Sequence, residues 1–137
     1  MEEQQTKICT KCGKELPIID FYWRNKAAGI RRSDCKYCHC KYVKQQYKER
    51  HEEVQKIKSK MCCAKCGDER FYVLDFHHRD PEEKDDGIAQ MLRNNTSWEK
   101  IEGEMAKCIP LCANCHREFH YLEREQHINI DTYLASK

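Results

Sequence analysis

The stretch between Cys38 and Lys60 is mostly charged and polar, and its few apolar residues are spaced as on one face of a helix. It contains no Gly or Pro. Its apolar positions recur at helical or heptad-like intervals; they are Val43, Tyr47, Val54 and Ile57. The pattern predicts a single helix of roughly twenty residues. A rigid spacer, a packing helix and a dimer contact all fit this pattern.

The apolar runs on either side of this helix are shorter. Residues 16–23 are apolar and predict a short hairpin arm, and the basic residues 24–32 predict a loop after it. Residues 71–78 are rich in aromatic and β-branched side chains and predict a strand that ends before Arg79-Asp80-Pro81.

Helical patterns return towards the C-terminus. The segment Thr96-Ser97-Trp98-Glu99 has the form of a capping box, and an apolar stripe continues to about Lys107. Pro110 is predicted to end this helix, and the last helix to start within residues 111–120 and run to about Glu125. Residues 88–92 predict one helical turn, and residues 126–137 carry no assigned element.

The composition leaves little material for a hydrophobic core. The chain has 137 residues, of which 39% are hydrophobic and 35% charged, and it contains eleven cysteines. Domains this small usually need additional cross-links. The N-terminus lacks the basic start and apolar run of a signal peptide, and no stretch is long enough to span a membrane. We therefore expect no membrane partner and a reducing cytoplasmic location, where paired cysteines bind zinc.

Eight of the cysteines form four Cys-x-x-Cys pairs, the spacing at which two thiolates bind one tetrahedral zinc ion. A closed zinc site has four ligands, so we expect the pairs to combine into two structural sites. One site would consist of Cys9, Cys12, Cys35 and Cys38, and the other of Cys63, Cys66, Cys112 and Cys115. The remaining cysteines are Cys40, Cys62 and Cys108.

Charge is distributed unevenly along the chain. Residues 1–60 contain 15 Lys and Arg against 8 Asp and Glu, whereas residues 61–137 contain 10 against 15. This split predicts a basic module that contacts a polyanion, and dense basic residues can neutralise several phosphates. A solvated helix face is the alternative. The candidate phosphate contacts of this module are Arg24, Arg31, Arg32, Lys36, Lys41 and Lys44, and outside it Arg79, Lys107 and Arg117 are further candidates.

Two pairs of histidines lie beside the second set of cysteines. His77 and His78 end the predicted strand, and His116 and His120 are four positions apart, so a helix would place them on one face. The four cysteine ligands would tie the strand to this helix. Imidazoles from both elements would then converge on a second metal with open positions, which is the condition for catalysis.

At these residues the chain resembles the HNH endonucleases, the ββα-metal nucleases. The family's first motif matches His77-His78-Arg79-Asp80-Pro81, and its last motif matches Leu111-Cys112-Ala113-Asn114-Cys115-His116. The resemblance covers residues 62–121 and is greatest to short bacteriophage-encoded members. It implies a small, zinc-stabilised α+β fold with a ββα-metal, treble-clef-like nuclease domain. A small zinc-knuckle module and a long helix would precede that domain.

The resemblance also implies roles for individual residues. His78 matches the general base that activates water, and His77, His116 and His120 match ligands of a catalytic divalent ion, either Mn²⁺, Ni²⁺, Zn²⁺, Co²⁺ or Mg²⁺. Lys107 stands at the position of the family's middle Asn. Asn114 is therefore the expected catalytic substitute, although a main-chain carbonyl could fill that role or the role could be dispensable.

The predicted organisation has four parts. These are an N-terminal four-cysteine zinc module (1–40), a basic connecting helix (41–60), the nuclease domain (61–126) and a C-terminal tail (127–137). The expected function is metal-dependent hydrolysis of DNA phosphodiester bonds, and the resemblance adds phage packaging (terminase) proteins as partners. The alternative is a non-catalytic zinc-knuckle module that binds DNA or protein.

Overall fold

The structure, a computed structural model, describes residues 5–136. Residues 1–4 and 137, which belong to the predicted first module and to the predicted tail, lie outside the described residues. The chain divides into two compact units, with the boundary after Gln46. Both units are built from short antiparallel strand pairs and helices, and each contains a cluster of four cysteines. The protein is therefore a small α+β protein.

The first unit consists of two hairpins followed by the start of a long helix. Its elements are β1 (Thr6–Ile8), β2 (Glu15–Pro17), β3 (Phe21–Asn25), β4 (Ile30–Cys35) and α1 (Lys36–Lys58), with β1 paired to β2 and β3 to β4. Gly13 has a φ of 69°, a left-handed conformation that closes the turn after Cys12 at little steric cost. The core contains Cys9, Phe21 and Cys35.

The basic segment 24–32 is not the loop that the sequence predicts. Its two ends belong to β3 and β4, and only residues 26–29 form the turn between them. Charge and Gly29 favour a loop, but pairing of Trp23 with Arg31 and of Asn25 with Ile30 extends the hairpin through most of the segment.

The long helix α1 matches its predicted extent closely, since 38–60 was expected and Lys36–Lys58 is observed. The boundary between the units falls within it. In the second unit, residues 47–58 act as a packing helix because Val54 is buried against Ile88, Leu92 and Ile101.

The second unit places a strand pair against a helix. Its elements are β5 (Leu74–His78), α2 (Ile88–Arg93), α3 (Trp98–Ala106), β6 (Cys108–Cys112), α4 (Ala113–Gln126) and α5 (Ile130–Ala135). β5 pairs antiparallel with β6, from Leu74 opposite Cys112 to His78 opposite Cys108, and α4 follows β6 directly. Leu74, Leu111 and Phe119 are buried in the core that these elements share.

Three elements differ from the sequence prediction. Residues 71–73 form a 3-10 turn, so the strand predicted from 71 begins at Leu74. β6 was not predicted, because Pro110 cannot donate a strand hydrogen bond and the five residues of β6 show no clear alternation of apolar and polar side chains. The predicted tail contains α5, which buries Ile130 and Tyr133 in the core of the second unit.

Between residues 5 and 136, no helix combines the length and apolar character needed to cross a bilayer.

Candidate metal centre

The four cysteines of the first unit bring their sulfur atoms within 4.8 Å of one another; they are Cys9, Cys12, Cys35 and Cys38. Backbone amides from Lys11 and Cys35 point at the Cys9 sulfur, at 3.4 and 3.2 Å. Burial opposes ionisation of Cys9, but these and neighbouring backbone hydrogen bonds outweigh it and lower its pKa to about 6. A preformed thiolate is the form of cysteine that binds zinc.

The second unit contains an equivalent cluster of Cys63, Cys66, Cys112 and Cys115, again within 4.8 Å. The sulfur atoms of Cys66 and Cys112 are 3.7 Å apart. A tetrahedral zinc ion with bonds of about 2.3 Å separates its sulfurs by roughly 3.8 Å, so the cluster has the size of a zinc site. Burial opposes ionisation of Cys63, but backbone amides outweigh it and lower its pKa to about 7. Both clusters are therefore compatible with structural zinc.

The remaining three cysteines lie outside both clusters. Cys40 and Cys62 are exposed and Cys108 is partly buried. Cys62 and Cys63 are adjacent in sequence but differ in burial, because only the Cys63 side chain points into the cluster.

A third cluster of metal-binding side chains joins β5 to α4. The ligand nitrogens of His77, His116 and His120 lie within 4.8 Å of one another. The ring of His77 is 5.2 Å from each of the other two rings, measured between centroids. One histidine of the first pair and both histidines of the second pair, which are far apart in sequence, thus form one cluster of three imidazoles.

Two carboxylates define which nitrogens of this cluster can bind a cation. Asp75 lies 3.2 Å from Nδ1 of His116, and Glu123 lies 3.1 Å from Nδ1 of His120. An ionised carboxylate only accepts hydrogen bonds, so each Nδ1 carries the hydrogen and each Nε2 carries the lone pair. The two Nε2 atoms are 3.1 Å apart. Two lone pairs at this distance repel each other unless a proton or a cation lies between them.

His77 is the buried member of the cluster, at 7% exposure, and its ring contacts Phe119 at 4.9 Å between centroids. Burial, followed by the nearby His116 and His120, lowers its pKa to about 4. His77 therefore stays neutral at physiological pH, and neutral imidazole is the form that binds metal. The donor set fits a divalent transition ion better than Mg²⁺.

His78 points away from this cluster because successive strand residues face opposite sides. Its Nε2 lies 2.6 Å from a carboxylate oxygen of Glu104 on α3. Glu104 is 2% exposed and also accepts from Lys107 and from the Asp85 backbone amide, at 2.9 and 3.1 Å. Burial opposes ionisation of Glu104, but the hydrogen bonds from Lys107 and His78 outweigh it and lower its pKa.

A groove of about 340 Å³ runs beside the histidines. Its wall includes residues from the second half of α1, from β5 and from the loop before α2. The candidate base His78 and the candidate metal ligand His116 are both among its lining side chains. Other polar residues that line it are His51, Lys58, Asp75 and Lys84. His78 and His116 are therefore accessible from this groove.

Asn114 is the residue that the resemblance suggested for the orienting role. It is exposed in the first turn of α4, between two cysteines of the cluster, and within residues 5–136 its side chain makes no hydrogen bond to His78. The main-chain carbonyl of Lys107 accepts from the Arg79 amide. The side chain that contacts His78 is Glu104.

The predicted phosphate contacts differ in their availability. Arg24, Lys41, Lys44 and Arg117 are exposed. Lys107 forms ion pairs with Asp85 and Glu104. The exposed Arg79 forms an ion pair with Asp131 at 2.9 Å. In the first unit Arg31 lies 3.3 Å over the Trp23 ring, Arg32 pairs with Asp34, and Lys36 lies 5.5 Å from the Tyr22 ring.

The sequence analysis assigned no role to Glu104 or Glu123. Glu104 did leave a signal, because it occupies the apolar stripe of α3 between Ile101 and Met105, where a charge is unexpected. Glu123 left none, since acidic residues are common on the exposed face of a helix.

A scan against protein-family models and searches of curated proteins and of solved structures found no match to this chain.

Proposed function

We propose that this protein is a divalent-metal-dependent DNA endonuclease of the HNH type. The observation that carries the proposal is the meeting of His77, His116 and His120 within 4.8 Å, with His78 on the opposite face of the same strand. The strand pair β5 and β6 with the following helix α4, between whose strands α2 and α3 are inserted, supports the ββα-metal proposal, since it supplies a metal cluster and a base from one compact unit.

The three clustered imidazoles would hold one catalytic ion, either Mn²⁺, Ni²⁺, Zn²⁺, Co²⁺ or Mg²⁺. When bound, such an ion supplies positive charge to the scissile phosphate and to the leaving oxygen. Three protein ligands leave coordination positions open, as catalysis requires. The two four-cysteine clusters would hold structural zinc.

His78 is the proposed general base. Its side chain is 10% exposed and lines the groove, so it is sheltered but in reach of substrate. An imidazole takes a proton from water effectively near neutral pH, because its ordinary pKa is close to 6.5.

The exposed cations of the first unit are the proposed DNA contacts outside the groove. Lys41 and Lys44 are exposed on α1, and Arg24 is exposed in β3. Side chains of this kind contact phosphates without reading base sequence. From the resemblance alone, we further propose a phage packaging protein as a partner and the cytoplasm of a bacterial host as the location.

Substitution of the proposed base tests this function. His78→Ala should lower the rate of plasmid nicking by about 10²–10⁴-fold, the usual contribution of a general base. The assay uses supercoiled DNA with added Mn²⁺, Ni²⁺ or Mg²⁺. His127→Asn is the control, because His127 is exposed at the end of α4 and adopts a left-handed conformation that Asn tolerates. Both variants should keep the zinc content of the unsubstituted protein, and full nicking by His78→Ala would remove the base.

A second candidate is a zinc-knuckle module that binds DNA or protein without cutting. The observation that favours it is the ion pairing of Lys107, which occupies the position of the family's Asn and is held by two carboxylates. Supercoiled plasmid that stays intact with every metal, while gel-shift binding persists, would establish this alternative.

A further inference from the structure

The second unit buries one acid whose contacts converge on the proposed base. Glu104 is 2% exposed, and its carboxylate receives hydrogen bonds from the side chain of Lys107 and the backbone amide of Asp85. Burying a charge is costly unless it is paired and hydrogen-bonded. Lys107 compensates the charge, and the pKa of Glu104 is lowered, so the group is an anion.

An anionic carboxylate can only accept hydrogen bonds. The oxygen of Glu104 that lies 2.6 Å from Nε2 of His78 therefore requires a hydrogen on that nitrogen. A neutral imidazole carries one hydrogen, so Nδ1 of His78 keeps its lone pair. The contact thus selects one tautomer of His78 and restrains the rotation of its ring.

We propose that Glu104 is the positioning residue of His78, a role that rests on the proposed nuclease function. Glu104 holds Nε2 protonated, so Nδ1 accepts the proton of the attacking water. The water oxygen forms the new bond to phosphorus, and the bond from phosphorus to the leaving oxygen breaks. The leaving oxygen takes a proton from solvent, and the imidazolium returns its proton to solvent. Glu104 stabilises that imidazolium in the meantime, as a carboxylate behind a catalytic histidine does.

The tautomer can be measured without any cleavage assay. In zinc-loaded protein labelled with ¹⁵N-histidine at about pH 8, protonated and unprotonated ring nitrogens resonate far apart. We expect Nε2 of His78 to be protonated and Nδ1 unprotonated, with the His78 signals assigned by their loss in His78→Ala. The opposite tautomer in the unsubstituted protein would overturn the proposal, whether or not the protein cuts DNA.

The kinetic test compares two substitutions on α3. Glu104→Gln keeps the shape of the side chain but removes its charge, and Glu102→Gln removes a charge from an exposed position of the same helix. We expect Glu104→Gln to lower kcat about 10- to 100-fold with little change in KM, and to shift part of His78 to the other tautomer. Glu102→Gln should change neither. Glu104→Asp should recover part of kcat if its carboxylate still reaches the ring.

The outcomes separate this inference from the proposed function. Cleavage by Glu104→Gln at the unsubstituted rate, with metal content unchanged, would reject the positioning role and leave the nuclease assignment standing. No cleavage by any form would reject the nuclease, while the ¹⁵N signals would still report whether Glu104 fixes the tautomer. If Glu104→Gln failed to fold, the measurement on the unsubstituted protein would decide.

Discussion

At the scale of single residues, the candidate metal centre includes partners beyond the three histidines. His116 and His120 each pair with a carboxylate through Nδ1, which leaves both Nε2 atoms available to bind a cation. Such second partners orient the ring and raise its basicity, and removing one commonly costs 10- to 100-fold in metal affinity or activity. The chemistry of the cluster therefore extends to Asp75 and Glu123.

Glu123→Gln tests this dependence. We expect the affinity of the histidine cluster for Zn²⁺ or Ni²⁺ to fall about tenfold, the lower end of the usual range, because Glu123 and His120 are both about half exposed. Isothermal titration of protein already loaded with structural zinc measures this affinity. Glu125→Gln, an exposed position on the same helix, is the control. Equal affinities for both variants would contradict the role of Glu123.

At the scale of secondary-structure elements, the second cysteine cluster lies beside short strands that would be marginal alone. β5 and β6 have five residues each, and an isolated two-stranded sheet is marginal in water. The cluster joins the loop before β5 to the start of α4, because Cys63 and Cys66 precede the strand and Cys112 and Cys115 flank the helix start.

The adjacent residues Cys62 and Cys63 allow a matched test of this cross-link. Cys63→Ser should remove one zinc ion per chain and abolish hydrogen-exchange protection in β5 and β6, since binding of a structural zinc contributes directly to folding. Cys62→Ser should retain the zinc ion and the hydrogen-exchange protection, because Cys62 is exposed and outside the cluster. Metal analysis and hydrogen exchange provide the two measurements. Loss of zinc from both variants would show that the assigned ligand is wrong.

The terminal helix α5 is a second element that stabilises this unit. Ile130 is 6% exposed in the main core, and Tyr133 donates its hydroxyl to Glu118 at 2.6 Å. We expect Ile130→Ala to lower the free energy of unfolding by about 2–5 kcal/mol, through lost burial and the cavity left behind. Urea denaturation measures the change, and the exposed Thr132→Ala on the same helix is its control. A change below about 0.5 kcal/mol, typical of a surface site, would mean that α5 is not part of the core.

At the scale of the whole molecule, the two halves of the chain differ in the sign of their net charge. The basic half contains the exposed Lys41 and Lys44, whereas the acidic half contains the histidine cluster. Phosphate contacts release counterions, so the logarithm of DNA affinity falls with the logarithm of salt by about 0.9 per contact. Binding by the basic half should therefore depend steeply on salt.

The double substitution Lys41→Gln/Lys44→Gln tests this division of charge. It should weaken DNA binding and reduce the salt slope by about two, one per phosphate contact. Fluorescence anisotropy over a range of salt concentrations measures the slope. Arg93→Gln/Lys100→Gln removes the same charge from two exposed positions of the acidic half and should leave the slope nearly unchanged. Equal slopes for the two variants would place the DNA contacts elsewhere.

The sequence by itself determined the features that depend on local spacing. Cys-x-x-Cys pairs indicated the two cysteine clusters, and the spacing of His116 and His120 placed both on one face of α4. The helical periods predicted α1, α3 and α4 with small errors at their ends. These features follow from covalent geometry and from the repeat of a helix, which act over a few residues.

Only the tertiary structure decided which distant groups meet. Pairing with β5 makes residues 108–112 a strand despite Pro110, and packing makes residues 130–135 a core helix. The contact between Glu104 and His78 spans 26 positions and depends on how α3 lies against the strands. No local pattern encodes such a contact, because its energy comes from burying a charge together with its partners, and those partners are defined only when the whole unit is folded.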